Sequence, residues 1–135
     1  MSRVSHVLDT SALLAHYFNE PGAEVVERLW SDESSRLAIS AVTVAELKGR
    51  LYQEISNDAE SAKAADAYLN ELTVCLPVDR TTAELAWQLR QASPGRLPLV
   101  DALIAATARA TGATLVHKDP HISQIPAGLV RQIAL

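Results

Sequence analysis

Four acids stand where a carboxylate needs a reason. Asp9 is embedded in VSHVLDTSALL and Asp101 in LPLVDALIAATA, the two most apolar surroundings in the chain, and no lysine or arginine lies within four residues of Asp9. An acid inside an apolar segment is costly unless it is paired or holds a cation. Glu46 follows in ISAVTVAEL and Asp119 in ATLVHKDPHI. If these carboxylates converge, two unit charges about 5 Å apart repel by roughly 3 kcal/mol at an effective dielectric near 20. Such a group takes up protons or holds a hard divalent cation. Oxygen-only ligands favour magnesium or manganese over zinc, and such an ion can lower the pKa of a bound water and neutralise charge on a phosphodiester under attack.

Each acid also has a plainer reading. Asp9 can cap the helix that follows it. Thr43-x-x-Glu46 has the spacing of a capping box. Asp101 falls in the first turn of a helix, where a negative charge suits the macrodipole. Asp119 precedes proline, a common turn pair.

The elements that must position these acids follow from hydrophobic spacing. Val4–Leu8 reads as a strand ending at Asp9, with a helix-compatible stretch to Tyr17 and a break at Glu20-Pro21-Gly22. Residues 23–31 read as a helix with Ala23, Val26, Leu29 and Trp30 on one side, and 37–39 as a buried strand. Val44, Leu47, Leu51 and Ile55 recur at spacings of three and four, predicting an amphipathic helix over 41–56. A helix is expected over 59–72 with Ala65, Tyr68, Leu69 and Leu72 inward, and a strand over 76–78. Thr81-x-x-Glu84 predicts a capped helix to about Gln91. The alanine-rich run 99–111, opened by Pro98 and stopped by Gly112, predicts a buried helix. Strands are expected over 114–117 and 129–133, with a turn at Asp119-Pro120. Short apolar strands alternating with helices imply an α/β sandwich around a mainly parallel sheet. In such sheets ligand sites lie beyond the carboxyl ends of the strands, where Asp9 and Asp119 fall.

The 135 residues fit one domain, expected to span 1–135, and a hydrophobic fraction of 48% supports a real core. The single cysteine, Cys75, cannot form an intramolecular disulfide; in Val74-Cys75-Leu76 it reads as a small buried residue, and a reducing compartment is the default. The N-terminal apolar stretch is too short for a signal peptide, and no window approaches the ~18 apolar residues that span a bilayer, so a cytoplasmic protein away from membranes is expected. Net charge is −4, unevenly spread: residues 1–75 carry −6 and residues 76–135 carry +2. Arg90, Arg96, Arg109, Lys118 and Arg131 suit either a phosphate-binding surface or a solvated polar face. His6, His16, His117 and His121 show no zinc-ligand spacing and read as structural or solvent-facing. His117 is the exception, placed to contact a phosphate or to orient Asp119.

The segments VLDTSALL, ISAVTVAEL, LPLVDALIAATA and ATLVHKDPHI resemble, in order and spacing, the four acidic motifs of PIN domains, and the likeness covers essentially the whole chain. Its length resembles that of the toxins of VapBC toxin–antitoxin pairs. The resemblance implies an α/β/α sandwich and a Mg2+- or Mn2+-dependent endoribonuclease. It further implies a homodimer held in check by a cognate antitoxin. Asp9 and Asp101 match the principal metal ligands. Glu46 and Asp119 match acids that reach the metal directly or through water, and Thr10 or Ser11 a supporting hydroxyl. Arg96, Arg109 and Lys118 are then candidates for RNA phosphates. Two departures fall at the fourth motif: His117 stands where the family usually has threonine, and Ile122 where an aromatic often follows. Two other readings compete. One is a PIN-like scaffold without catalysis that binds RNA or protein partners. The other is a phosphatase of the haloacid-dehalogenase type, which wants a second aspartate where Ser11 stands.

Overall fold

In the computed structural model, which describes residues 3–135, strands and helices alternate along the chain. The strands are β1 (His6–Leu8), β2 (Leu37–Ser40), β3 (Val74–Leu76), β4 (Thr114–His117) and β5 (Gln132–Ala134). The helices are α1 (Thr10–Tyr17), α2 (Ala23–Ser31), α3 (Ala41–Glu54), α4 (Asp58–Asp66), α5 (Arg80–Ala92), α6 (Leu99–Thr111) and the short α7 (Pro120–Ser123). Parallel neighbours cannot be joined by a tight turn, so each pairing needs a crossover, and helices fill that role. The sheet is parallel throughout, in the order β3-β2-β1-β4-β5. The expected α/β/α sandwich is the observed fold.

Side chains alternate across the sheet, and both faces are covered. Val7, Ala38 and Leu115 point into a core with Ala86 and Leu89 of α5 and the alanines of α6. Leu8, Ile39 and Val116 point the other way, onto Leu13 of α1, Val26 of α2 and Leu47 and Leu51 of α3. Burying such a side chain stabilises the fold by about 1.5–3 kcal/mol. Alanine lets α6 lie close to the sheet, and Gly112, left-handed at φ 69°, ends that helix where the sequence places its stop.

Several local expectations are corrected. The strand expected over 76–78 is β3 at 74–76, because Pro77 has no N–H to extend the ladder. β3 is a sheet edge, which leaves Cys75 exposed rather than buried. The expected 59–72 helix gives way to a π-helical turn at Ala67–Glu71. The turn carries an extra residue, which rotates Leu72 off the inward face to 39% exposure. α5 starts one residue before Thr81, because Asp79 takes the cap by accepting the Thr82 N–H at 2.9 Å. Leu129 and Val130 pack into the core from a loop, so the last strand begins only at Gln132. Among the described residues no helix is long and apolar enough to cross a membrane.

Candidate metal centre

The chain runs outward from β1 to β2 and β3, then returns to place β4 on the other side of β1. At this reversal the loops beyond adjacent strands diverge and leave a crevice. β1 delivers Asp9 to it and β4 delivers Asp119. α3 and α6 bring Glu46 and Asp101 to the same place. All four acids, with Thr10 and Ser11, line one cleft of about 300 Å3.

Asp9 is the buried member, 3% exposed. It caps α1 after all: its Oδ1 accepts the Ala12 N–H at 2.9 Å. The Ser11 hydroxyl lies 2.7 and 2.8 Å from the two carboxylate oxygens and itself accepts the Lys118 N–H at 2.8 Å. One hydroxyl therefore ties the first turn of α1 to the loop after β4. Burial raises the Asp9 pKa to about 7, against the lowering effect of the Ser11 and Ala12 hydrogen bonds; the charges of Asp119 and Asp101 raise it further.

Asp101 occupies the first turn of α6, whose Pro98 cap offers no side-chain hydrogen bond. Its pKa is raised to about 6, first by burial, then by the charges of Asp119 and Glu46. Glu46 plays no part in a capping box. β2 runs on to Ser40, which caps α3, while Thr43 packs inward at 0% exposure. Glu46 Oε1 instead accepts the Thr10 hydroxyl at 2.6 Å.

Asp119 caps α7, and its Oδ1 accepts the His121 N–H at 2.8 Å. His117 is wholly buried. Its Nδ1 accepts the Asp119 N–H at 3.1 Å, so its proton sits on Nε2 and is donated to Gln132 Oε1 at 2.9 Å. Burial holds its pKa below the ordinary imidazole value. His117 thus cannot meet a phosphate; it holds the backbone from which Asp119 projects.

The basic residues fall out differently. Arg109 is two turns of α6 beyond Asp101, about 12 Å away along the axis, and donates to the Leu129 carbonyl at 2.6 Å. Arg96 sits in the loop before α6, where its carbonyl accepts from Gln124. Lys118 lies 3.8 Å from Glu20. None of the three lines the cleft, and Arg50 does. It stands one turn after Glu46 on α3, held by Glu54 at 2.7 Å. The i, i+4 spacing from Glu46 was the signal that would have found it.

Among the described residues no lysine or arginine forms an ion pair with the four acids. Carboxyl pKa values raised at Asp9 and Asp101, with no lysine or arginine paired to either, fit a site that a divalent ion would neutralise. The donor set fits magnesium or manganese.

The PIN domain family model matches residues 6–128. No curated protein sequence matches the chain. Solved structures do. VapBC2 from Rickettsia felis, bound to a DNA fragment from its promoter, aligns with a TM-score of 0.77 at 20% identity, over 97% of this chain and 98% of that one. VapBC-1 from nontypeable Haemophilus influenzae aligns at 0.75 and 20%, with the same coverage. VapC20 from Mycobacterium tuberculosis, a toxin that cleaves the sarcin–ricin loop, aligns at 0.70 and 23%, over 93% and 97%.

Proposed function

The chain belongs to the PIN-domain family, and on that premise we propose that it is a metal-dependent endoribonuclease, the toxin of a toxin–antitoxin pair. The observation that carries the reading is the cleft itself, where Asp9 and Asp101 are pushed toward protonation by burial and by neighbouring carboxylates. A cluster so arranged gains most from a divalent ion, Mg2+ or Mn2+. The similarity to VapBC structures, one a toxin that cleaves the sarcin–ricin loop, supports the same role with an antitoxin as partner; RNA as substrate and a homodimer as the working unit belong to this proposal. The PIN domain is taken to span 1–135 and to work in the cytoplasm.

Asp9 and Asp101 are the principal ligands in this reading. Ser11 fixes both oxygens of Asp9, so that carboxylate enters the site pre-oriented. Thr10 occupies Glu46 Oε1, which leaves Oε2 to orient the attacking water and take its proton. Asp119 assists directly or through water, from a backbone set by His117. The bound ion supplies an activated water and neutralises charge on the phosphate. An antitoxin side chain of positive charge would silence such a cleft by occupying it.

Two results test this. Purified chain given a folded RNA is expected to cut it at discrete positions with Mg2+, to stop with EDTA, and to resume with added Mn2+; cleavage that persists in EDTA overturns the reading. Arg50, the cation on the cleft wall, is expected to bind substrate phosphate. Arg50→Ala should raise KM by about tenfold, with kcat much less affected. It should also reduce the slope of log affinity against log salt by about 1. An unchanged salt slope removes Arg50 from the interface.

A further inference from the structure

One imidazole stands beside the cleft acids Asp101 and Asp119. His121 is the second residue of α7, and its Nδ1 lies 3.1 Å from Asp119 Oδ1. Asp101, Asp119 and His121 each offer a ligand atom, and these atoms all lie within 4.8 Å of one another. They come from two elements, the first turn of α6 and the cap and second residue of α7. The ring is not adventitiously placed. Pro120 fixes φ at the first helical position, the Asp119 carboxylate accepts the His121 N–H, and Ile122, at 0% exposure, pins α7 into the core. Half of the His121 side chain faces solvent, so a cation can reach it.

We propose that His121 supplies a nitrogen ligand to the site's cation alongside Asp101 and Asp119, and that this donor biases the site toward first-row transition ions, Mn2+ among them, over Mg2+. The inference rests on the metal-nuclease reading above and adds the metal preference. Its chemistry is simple. Mg2+ keeps oxygen ligands and sheds water reluctantly, whereas Mn2+ and its heavier neighbours accept imidazole readily. Carboxylates alone would separate the two ions little; one imidazole separates them further. The Asp119–His121 contact then sets an oxygen and a nitrogen donor side by side for one ion.

The test uses the full chain without RNA. Mn2+ is titrated into the wild type and His121→Gln, with affinities for Mn2+ and Mg2+ from calorimetry and nitrogen coupling from pulsed EPR of the Mn2+ form. The expected wild-type spectrum shows 14N modulation from one imidazole. In His121→Gln that modulation disappears, Mn2+ affinity falls about tenfold, and Mg2+ affinity changes by less than about twofold, as the loss of a nitrogen donor costs the softer ion more. The wild-type spectrum decides the matter even if the variant folds poorly. Mn2+ bound without nitrogen coupling, or coupling that survives in the variant, overturns the His121 assignment and leaves the nuclease reading standing. A wild type that binds neither ion overturns both.

Discussion

Asp9→Asn is expected to lower RNA cleavage by about a thousandfold or more, while making the metal-free protein more stable. The first half follows from position. Asp9 sits at the reversal of strand order, buried and pre-oriented by Ser11 and Ala12. An amide in its place keeps the shape and loses the charge that draws in the ion. A thousandfold corresponds to about 4 kcal/mol of transition-state stabilisation, within the several kcal/mol that a Lewis-acid metal supplies. The fold has little to lose. Asn caps a helix as well as Asp does, and its carbonyl oxygen can still accept the Ala12 N–H. Single-turnover cleavage of a labelled RNA, alongside urea denaturation of the same preparation, measures both halves. Cleavage within tenfold of wild type by a folded variant would remove Asp9 from the metal site.

The second large effect is on stability against pH, and its sign is unusual for an aspartate. The folded-state pKa of Asp9, about 7, lies above the ordinary 3.8. Between those values the native state holds a proton that the unfolded state has released, so stability falls as pH rises. The shift of roughly three units corresponds to about 4 kcal/mol at full ionisation. Asp101, half-buried, acts in the same direction but is screened by solvent and adds much less. His117 opposes both: its lowered pKa makes acidification below its ordinary value destabilising. The clean measure is therefore the difference between Asp9→Asn and wild type in EDTA. It should be near its maximum, about 4 kcal/mol in favour of the variant, at pH 8, and should vanish near pH 4. Mg2+ should shrink it at pH 8, because the ion stabilises only the protein with a site to hold it, by about 2.7 kcal/mol at a hundred times Kd. Equal stabilities at pH 8 without metal would show that Asp9 carries no buried charge.

The elements nearest the cleft were the most legible in the sequence. β1, α1, α6 and β4 are apolar runs with clear punctuation: Asp9 after the first, Pro98 and Gly112 around the third, Asp119-Pro120 after the last. Their burial on both sheet faces made the periodicity strong. The edges were less legible. β3 and β5 are three residues each and half-covered, so neighbouring loop residues such as Leu129 and Val130 carry as much apolar signal as the strands do. The π turn at Ala67–Glu71 has no sequence mark. At the site, the convergence of four acids followed from motif order, but their hydrogen bonds did not. Thr43-x-x-Glu46 matched a capping box, and only the extension of β2 to Ser40 shows that Thr43 lies inside and Glu46 belongs to Thr10. The basic residues were chosen by the charge of their half of the chain. Helical phase, which selects Arg50, outweighs that.

The pairing of β1 with β4 has a consequence for timing. His6, Val7 and Leu8 lie beside Thr114, Leu115 and Val116, so the centre of the sheet joins segments over a hundred residues apart. Contacts that distant carry a large loop-closure entropy and form late in folding. On the ribosome the first strand must wait, with one flank bare, until residues 114–116 have emerged. Ser11 meets the Lys118 N–H, and Asp9 meets Asp101 and Asp119, only after that. A nascent chain therefore carries no assembled cleft until residues 114–119 have emerged.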